Sequence, residues 1–481
     1  MQRRDFIKAG LAVGGAAVLS GCRVLPLNPT PTAKHNSILD HPASASGIDT
    51  VVICMMENRS FDSYLGWLAR DEPYLERGRS MYGAGFHVDG NSFQQFELPD
   101  GELVDTYRRV LQPEANPWRA CGFEDPGHGW NEGRAQRDGG FLAPGSNSGA
   151  PGDHNDIFAL GYFEGADLGL YQRLAHRFIV CDEWHASVLG PTYPNREYLM
   201  SGTSGGNKTN AFPTTDGWQW QNIIEKLAAA GVTGGEYYGD FPMFLLFGSR
   251  MAPYLHRIDN YFEDAAAGRL PQVTFVTPNF VGEETRTDDH PHGDPRAAQR
   301  FVRDAFAAFT RSPHWHNGLF IVTYDEWGGF FDHVAPPHFS DDRASANDAE
   351  DFSQAGFRVP TLLASPRGLP SIVDHGRYDH TSALRFIEWR FLGAPPRGPG
   401  SSAPWALTPR DRNAANCGEL LSAEYFDPDL YFNADVPIPE PSHACSTTAG
   451  AGGGAAVEDS PWERGIENGY WERVGLRVPV A

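Results

Sequence analysis

Short apolar runs rich in β-branched residues recur through the middle of the chain. They cover residues 50–54, 178–181, 273–276, 319–323 and 361–364. Runs of this length and composition are typical of strands that are buried on both faces, as in a parallel sheet. We therefore expect these five segments to be central strands.

Amphipathic stretches alternate with these runs. Residues 220–230 and 297–310 have helical patterns between strands, and 383–392 follow the last one. This alternation predicts an α/β fold with a mostly parallel sheet, formed by a domain at 48–393. Within it, residues 83–152 are rich in Gly, Pro and Trp and are expected to be an irregular insertion.

The two ends of the chain differ from this domain in composition. Residues 394–481 form a Pro/Gly-rich C-terminal extension. Three aromatic residues near its end, Trp462, Tyr470 and Trp471, are expected to pack back on the domain. Residues 1–22 combine Arg3-Arg4, a short apolar run and Leu-Ser-Gly-Cys22, and residues 23–47 form a polar tether.

The N-terminal segment resembles a twin-arginine export signal with a bacterial lipobox. It predicts export by the twin-arginine machinery and a lipid anchor on Cys22, on a periplasmic or cell-surface membrane. A plain cleaved signal, which would release a secreted protein, is the alternative. The formal net charge of −22 disfavours nucleic acid as a partner.

The remaining cysteines show no CxxC spacing, so a cysteine-bound zinc site is unsupported. Cys54 and Cys181 lie in apolar runs and are expected to be buried thiols. Cys417 and Cys445 flank a loop-like stretch and are expected to pair in an oxidising compartment.

Acidic and amide side chains directly follow two of the predicted strands. Glu57 and Asn58 follow the first strand, and Asp325 and Glu326 follow the strand at 319–323. Ligands of α/β proteins bind beyond the carboxyl ends of the strands, and clustered carboxylates repel unless a cation lies between them. The pattern predicts a metal site. The alternative is that these residues cap the helices that follow.

Four motifs contain more polar and charged residues than folding alone requires. They occupy residues 57–62 (ENRSFD), 190–196 (GPTYPNR), 324–334 (YDEWGGFFDHV) and 378–382 (YDHTS). In this order they resemble the bacterial phosphoesterase family that includes phosphatidylcholine-type phospholipases C and respiratory-burst-inhibiting acid phosphatases. The resemblance covers roughly residues 49–393.

The resemblance implies an alkaline-phosphatase-like, three-layer α/β core. It also implies one divalent metal ion, bound by Glu57, Asn58, Asp325 and Glu326 together with the nucleophile. Oxygen ligands favour Ca²⁺, Mg²⁺ or Mn²⁺, and Zn²⁺ is the alternative. The implied nucleophile is Thr192; the alternative is that its hydroxyl caps a helix starting near Pro194.

Four further residues are expected to assist. His290 and His128 would stabilise the transferring oxygens or protonate the leaving alcohol. Arg196 and Asn195 would hold phosphoryl oxygens or orient their loop. The segment 288–292 contains a second histidine, His292, which leaves open whether His290 acts alone.

Two departures from the family bear on substrate. Trp327 stands where many relatives have a small, polar or His residue, so nearby substrate contacts are expected to differ. The sequence does not show the long β-rich extension of the larger phospholipases C. Phospholipase C-like hydrolysis therefore competes with acid phosphatase activity on phosphomonoesters, and a non-catalytic, surface-anchored metal-binding protein is a more remote alternative.

Overall fold

A computed structural model describes residues 35–91, 93–98, 101–111, 116–282, 284–399, 404–425, 436–445 and 469–474. The predicted export signal and lipid-anchor cysteine, residues 23–34 of the tether, and Trp462 lie outside these ranges. No helix within the described ranges combines the length and apolar character needed to cross a membrane.

The described residues contain fourteen strands, and eight of them form a large central sheet. The strands, in chain order, are β1 Thr50–Met56, β2 Gln95–Glu97, β3 Leu103–Asp105, β4 Tyr107–Arg108, β5 Gly161–Tyr162, β6 Ile179–Cys181, β7 Trp184–His185, β8 Gly234–Tyr238, β9 Leu255–Arg257, β10 Val273–Thr277, β11 Gly318–Tyr324, β12 Thr361–Ala364, β13 Ile372–Asp374 and β14 Tyr378–Asp379. The order across the large sheet is β13-β6-β12-β11-β1-β10-β8-β9. Only β12 runs antiparallel to its neighbours among these eight strands.

Helices connect the strands. The α-helices are α1 Phe61–Tyr64, α2 Glu72–Tyr82, α3 Trp130–Gly139, α4 Gly169–Ala175, α5 Thr192–Ser201, α6 Ile223–Ala229, α7 Ile258–Ala267, α8 Pro295–Arg311, α9 His380–Leu392, α10 Pro409–Asn413 and α11 Tyr470–Arg473. Short 3₁₀ turns are Ile38–Asp40, Ala43–Ala45, Gly66–Arg70, Arg109–Leu111, Ile157–Leu160, Met243–Phe247, Ser249–Tyr254, Trp315–Asn317 and Asp348–Glu350. Helix α9 packs on α5, α6 and α10, whereas α8 packs on α4 and α7.

The central strands are covered on both faces, because every residue of β1 and β11 is buried. Their parallel register pairs Thr50 with Gly318 and Met56 with Tyr324. The two strands therefore end side by side. The α/β fold with a mostly parallel central sheet, expected from the sequence, is confirmed, and each of the five predicted strands is present.

The predicted insertion is less irregular than expected. It contains the hairpin β2–β3 and helix α3. Its inner hairpin residues pack near Phe331, whose ring lies 5.2 Å from that of Phe96. Near the C-terminus, Tyr470 and Trp471 are buried and contact Phe212, as expected of a segment that packs back on the domain.

The expected pairing of Cys417 with Cys445 is wrong. Cys445 forms a disulfide with Cys121 in the insertion, and Cys417 is a buried free thiol. The pairing links positions 324 residues apart, so it depends on the path of the insertion. Cys54 and Cys181 are buried free thiols, as expected.

Candidate active site

The ends of β1 and β11 bring two of the predicted ligand pairs together. The backbone N–H of Asp325 donates to Met56 O at 3.1 Å, so the loops after the two strands begin in contact. Glu57, Asn58, Asp325 and Glu326 are all buried. The predicted ligands thus share one edge of the sheet.

Arg196 lies between these carboxylates. Its Nε donates to Asp325 Oδ2 at 2.9 Å, and its Nη2 lies 3.4 Å from Glu57 Oε1. Nη2 also donates to Met56 O at 3.1 Å. The guanidinium thus contacts the ends of both strands. Arg196 was expected either to hold phosphoryl oxygens or to orient its loop, and these contacts favour the orienting role.

Thr192 is the first residue of α5, a helix whose ten residues are all buried. Residues four apart lie on the same face of a helix, so Thr192 is one turn before Arg196 on the face that meets the strand ends. Asn195 fixes the preceding loop: its Oδ1 accepts from Val188 N at 2.9 Å and its Nδ2 donates to Gly190 O at 2.8 Å. The helix starts at Thr192 rather than at Pro194, and its N-cap residue is Pro191.

The strand-end acids are strongly affected by burial. Burial raises the pKa of Glu57, and the nearby charge of Asp325 raises it further. Burial likewise raises the pKa of Asp325, and it raises the pKa of Glu326 to about 8. A cation bound among these acids would favour their charged forms and so oppose the effect of burial.

Two buried oxygens at this edge also fit a bound cation. Asn58 Oδ1 and Nδ2 and Glu326 Oε1 make no hydrogen bond within the described part of the chain. A buried polar atom without a partner costs free energy, which a metal ion would recover at the two oxygens. The donor set of carboxylates and one amide suits a hard divalent cation.

A second group of potential ligands consists of Asp125, His128 and His290. One ligand atom of each lies within 4.8 Å of the others. His290 Nε2 is 3.7 Å from Asp125 Oδ2, while Nδ1 of His290 and of His128 lies close to a backbone carbonyl. The charges of His128 and His290 each lower the pKa of Glu326, which indicates that this group lies beside the strand ends.

Asp125 is a further candidate residue of this site that was not predicted from the sequence. Its signal was its spacing, three residues before His128 in the insertion. His292, in contrast, faces the insertion: its Nδ1 lies 2.9 Å from Arg119 O, and its carbonyl accepts from Arg119 Nη1 at 3.2 Å. Of the two histidines in this segment, His290 is the one grouped with Asp125 and His128.

A third acidic group, Asp62, Asp332 and His333, could also hold a metal by its geometry. Here Arg358 already supplies the positive charge, because its Nε lies 2.9 Å from Asp332 Oδ1 and its Nη2 3.2 Å from Asp62 Oδ1. This group is therefore a buried ion-pair network.

Trp327, next to Glu326, lies between the loop after β11 and the insertion. It is fully buried, and its Nε1 donates to Gln136 Oε1 in α3 at 2.7 Å. It packs against Phe357, with ring centroids 5.4 Å apart. Trp327 thus anchors the insertion to the loop after β11, and the expected difference in nearby substrate contacts stays a prediction.

Comparison with known proteins identifies the family of this chain. The model of the Phosphoesterase family matches residues 48–392. Non-specific phospholipase C5 of Arabidopsis thaliana is 33% identical over 70% of this chain and 68% of its own length, and non-specific phospholipase C1 of the same plant is 33% identical over 66% and 61%. The chain thus spans about two thirds of the length of these relatives.

Bacterial proteins are similar as well. Non-hemolytic phospholipase C of Burkholderia pseudomallei is 27% identical over 88% of this chain and 65% of its own length. A solved structure from Vibrio parahaemolyticus is described as a protein of the alkaline phosphatase superfamily. It shares 10% identity over 59% of this chain and 72% of its own, with a TM-score of 0.30. The family match alone covers most of the sequence: the chain belongs to the phosphoesterase family, whose members are hydrolases of phosphoric ester bonds.

Proposed function

We propose that this chain is an exported, metal-dependent phosphoesterase of the phospholipase C type, with Thr192 as nucleophile. The observation that carries the proposal is the position of Thr192 one helical turn before Arg196, which contacts Asp325 and Glu57. This placement directs the start of α5 towards the acidic edge of the sheet.

Glu57, Asn58, Asp325 and Glu326, with the Thr192 hydroxyl, would hold one divalent cation. Their charges support this assignment: three carboxylates and the Arg196 guanidinium sum to −3 + 1 = −2, which a divalent cation balances. The bound cation would lower the pKa of the nucleophile and polarise the phosphoryl group. Ca²⁺, Mg²⁺, Mn²⁺ and Zn²⁺ are all compatible with a mononuclear site of this kind.

In the first step, the Thr192 hydroxyl releases its proton to solvent, and its oxygen forms a bond to phosphorus while the bond from phosphorus to the leaving oxygen breaks. The leaving alcohol takes up a proton, for which His128 and His290 are the candidate donors. Water then attacks phosphorus, and the phosphorylated headgroup or phosphate leaves as the threonine hydroxyl is restored. The N-terminus of α5 favours the negative charge of the phosphoryl group.

The substrate class follows from the relatives. Both plant and bacterial relatives are named phospholipases C, which favours a phosphodiester of a phospholipid over a simple monoester. An acid phosphatase is the alternative on the same core, and the remote alternative is a non-catalytic, surface-anchored metal-binding protein.

Export by the twin-arginine machinery and lipidation at Cys22 are part of the proposal. The disulfide Cys121–Cys445 supports an oxidising compartment, because structural disulfides persist mainly in exported proteins. The location would be the periplasm or the cell surface.

The decisive experiment compares hydrolysis of p-nitrophenylphosphorylcholine and p-nitrophenyl phosphate by purified protein lacking residues 1–22. Activity is measured before and after chelation and with single added ions. Preference for the choline ester supports the phospholipase C assignment, and preference for the monoester supports the phosphatase.

Variants of Thr192 test the nucleophile. Thr192→Ala is expected to abolish turnover while the unfolding transition stays unchanged and the metal is still bound by the four remaining ligands. Thr192→Ser, which keeps a hydroxyl, is expected to retain part of the turnover. An active Thr192→Ala protein would refute the nucleophile. No turnover of either ester by the wild type with any divalent ion would favour the binding protein.

A further inference from the structure

Asp289, the residue before His290, has a carboxylate that is almost fully buried. It is 1% exposed. Tyr324 Oη donates to its Oδ2 at 2.9 Å, Tyr64 Oη donates to the same oxygen, and Arg59 Nη2 donates to Oδ1 at 3.3 Å. One cation and two hydroxyls therefore surround this single carboxylate.

Each of the three donors belongs to a segment that also carries a predicted metal ligand. Arg59 directly follows Asn58, and Tyr64 ends the short helix α1 that comes next. Tyr324 is the last residue of β11 and directly precedes Asp325. The contacts of one carboxylate thus join the loop after β1 to the end of β11.

The loop that carries Asp289 is joined to the same edge a second time. The carbonyl of Asp288 accepts from Glu57 N at 2.8 Å, while its carboxylate pairs with Arg286 Nε and Nη2 at 3.0 and 2.9 Å. Asp289 itself has a φ of +85°, a left-handed value that non-glycine residues adopt only where their surroundings impose it. The backbone just before His290 is therefore held by the contacts of its neighbours.

We propose that Asp289 is a positioning residue that holds His290 in register with the two strand ends. Charge-assisted hydrogen bonds to a buried carboxylate are stronger and more directional than neutral ones. Asp289 binds donors from both strand-end loops, so its loss would let the His290 loop shift relative to both. The inference rests on the proposed function, in which His290 acts on the leaving-group side.

The first test is Asp289→Asn, which preserves the shape of the side chain and removes its charge. With the p-nitrophenyl ester that the wild type hydrolyses, kcat is expected to fall about 10- to 100-fold, because small displacements of a reacting group have effects of this size. KM should change less than about threefold, since Asp289 does not contact substrate.

A double-variant cycle separates positioning from a general effect on the fold. If Asp289 acts through His290, Asp289→Asn should lower kcat less than about twofold in a His290→Ala background, because the group it positions is gone. Equal losses in both backgrounds would overturn the inference, as would full kcat in Asp289→Asn alone.

Tyr324→Phe and Tyr64→Phe provide the same test if Asp289→Asn fails to fold. Each removes one hydroxyl and leaves the pair with Arg59, and each should lower kcat only when His290 is present. The matched control is Asp374→Asn: Asp374 is 3% exposed and accepts from Tyr378 Oη at 3.0 Å, but it lies in the edge strand β13. Its loss should reduce stability without changing kcat.

Failure of this inference is distinguishable from failure of the proposed function. Additive effects of Asp289 and His290, with Thr192→Ala inactive, would overturn the positioning role and leave the nucleophile in place. A wild-type protein that hydrolyses neither ester would overturn both.

Discussion

Arg196 Nε donates to Asp325 Oδ2 at 2.9 Å, a contact that joins helix α5 to the end of strand β11. Both side chains are almost fully buried, and Glu57 lies 3.4 Å from the same guanidinium. A buried charge is tolerated only when it is paired, so this arginine compensates part of the acidic charge at the sheet edge.

Arg196→Gln should therefore destabilise the fold. Removing one partner of a buried ion pair typically costs about 3–5 kcal/mol, because the remaining charge is left uncompensated. Urea denaturation of wild type and variant measures the free energy of unfolding. The control is Arg269→Gln, whose side chain is 60% exposed and pairs with Asp264, and which should cost at most about 1 kcal/mol. Equal costs for the two variants would contradict the structural role of Arg196.

Gly328, in the loop after β11, is predicted to be essential for the geometry of the predicted metal site. Its φ is +63°, and a Cβ at this position would lie 2.5 Å from the backbone oxygen of Asn58. Gly328→Ala should displace Asn58 and thereby lower both metal content and activity, measured by elemental analysis and ester hydrolysis.

Gly393→Ala is the matched control for that substitution. Gly393 has a φ of +81° but no atom within 4 Å of the position of a Cβ. Both variants pay the backbone cost of a left-handed alanine, about 1–2 kcal/mol, and only Gly328→Ala adds a steric clash. Normal metal content and activity in Gly328→Ala would show that Asn58 tolerates the displacement.

The sheet edge was predictable from sequence for a simple reason. The apolar runs of β1 and β11 end abruptly in Glu57-Asn58 and Asp325-Glu326, and parallel strands place their carboxyl ends at the same edge. Pairing of Met56 with Tyr324 then brings the two acidic loops together. The local pattern and the general geometry of α/β sheets were sufficient here.

The contacts made by side chains from distant segments were not predictable in this way. Which acid Arg196 reaches depends on how α5 packs, and the partner of Cys445 depends on the path of the insertion. The hydrogen bond from Trp327 to Gln136 is another example, because the position of Trp327 next to Glu326 does not reveal which way its ring points. Local sequence carries no signal for such long-range packing.

His333 is expected to make stability depend on pH. Its Nδ1 lies 2.6 Å from Asp62 Oδ2 and its Nε2 3.0 Å from Asp89 Oδ1. Burial lowers the pKa of His333, but the hydrogen bonds to these two carboxylates outweigh it and raise the pKa to about 10. Because this value is above the 6.5 of an ordinary histidine, its stabilising contribution is complete below about pH 6.5 and is lost as the pH rises through about 10.

The measurement compares the free energy of unfolding of wild type and His333→Gln across this range. The variant should be less stable by about 1.5–3 kcal/mol near pH 6, the usual contribution of a hydrogen bond to a charged group, and the difference should shrink towards pH 10. His316→Gln, a substitution of an exposed histidine, should show no such trend. A difference that stays constant with pH would mean that folding does not shift the pKa of His333.

The disulfide between Cys121 and Cys445 should stabilise the protein by linking the insertion to the C-terminal segment. Replacing both cysteines with serine is expected to lower the free energy of unfolding by about 2–4 kcal/mol, because the crosslink restricts the unfolded chain. Next to this bond, Arg119 Nε donates to Ser442 O at 3.0 Å, so the same variant should also loosen the insertion near the candidate site.

Peptide mapping without reduction identifies the pair directly. Cys417→Ala is the control: it should leave the crosslinked peptide intact, and loss of that peptide in this variant would instead indicate pairing through Cys417.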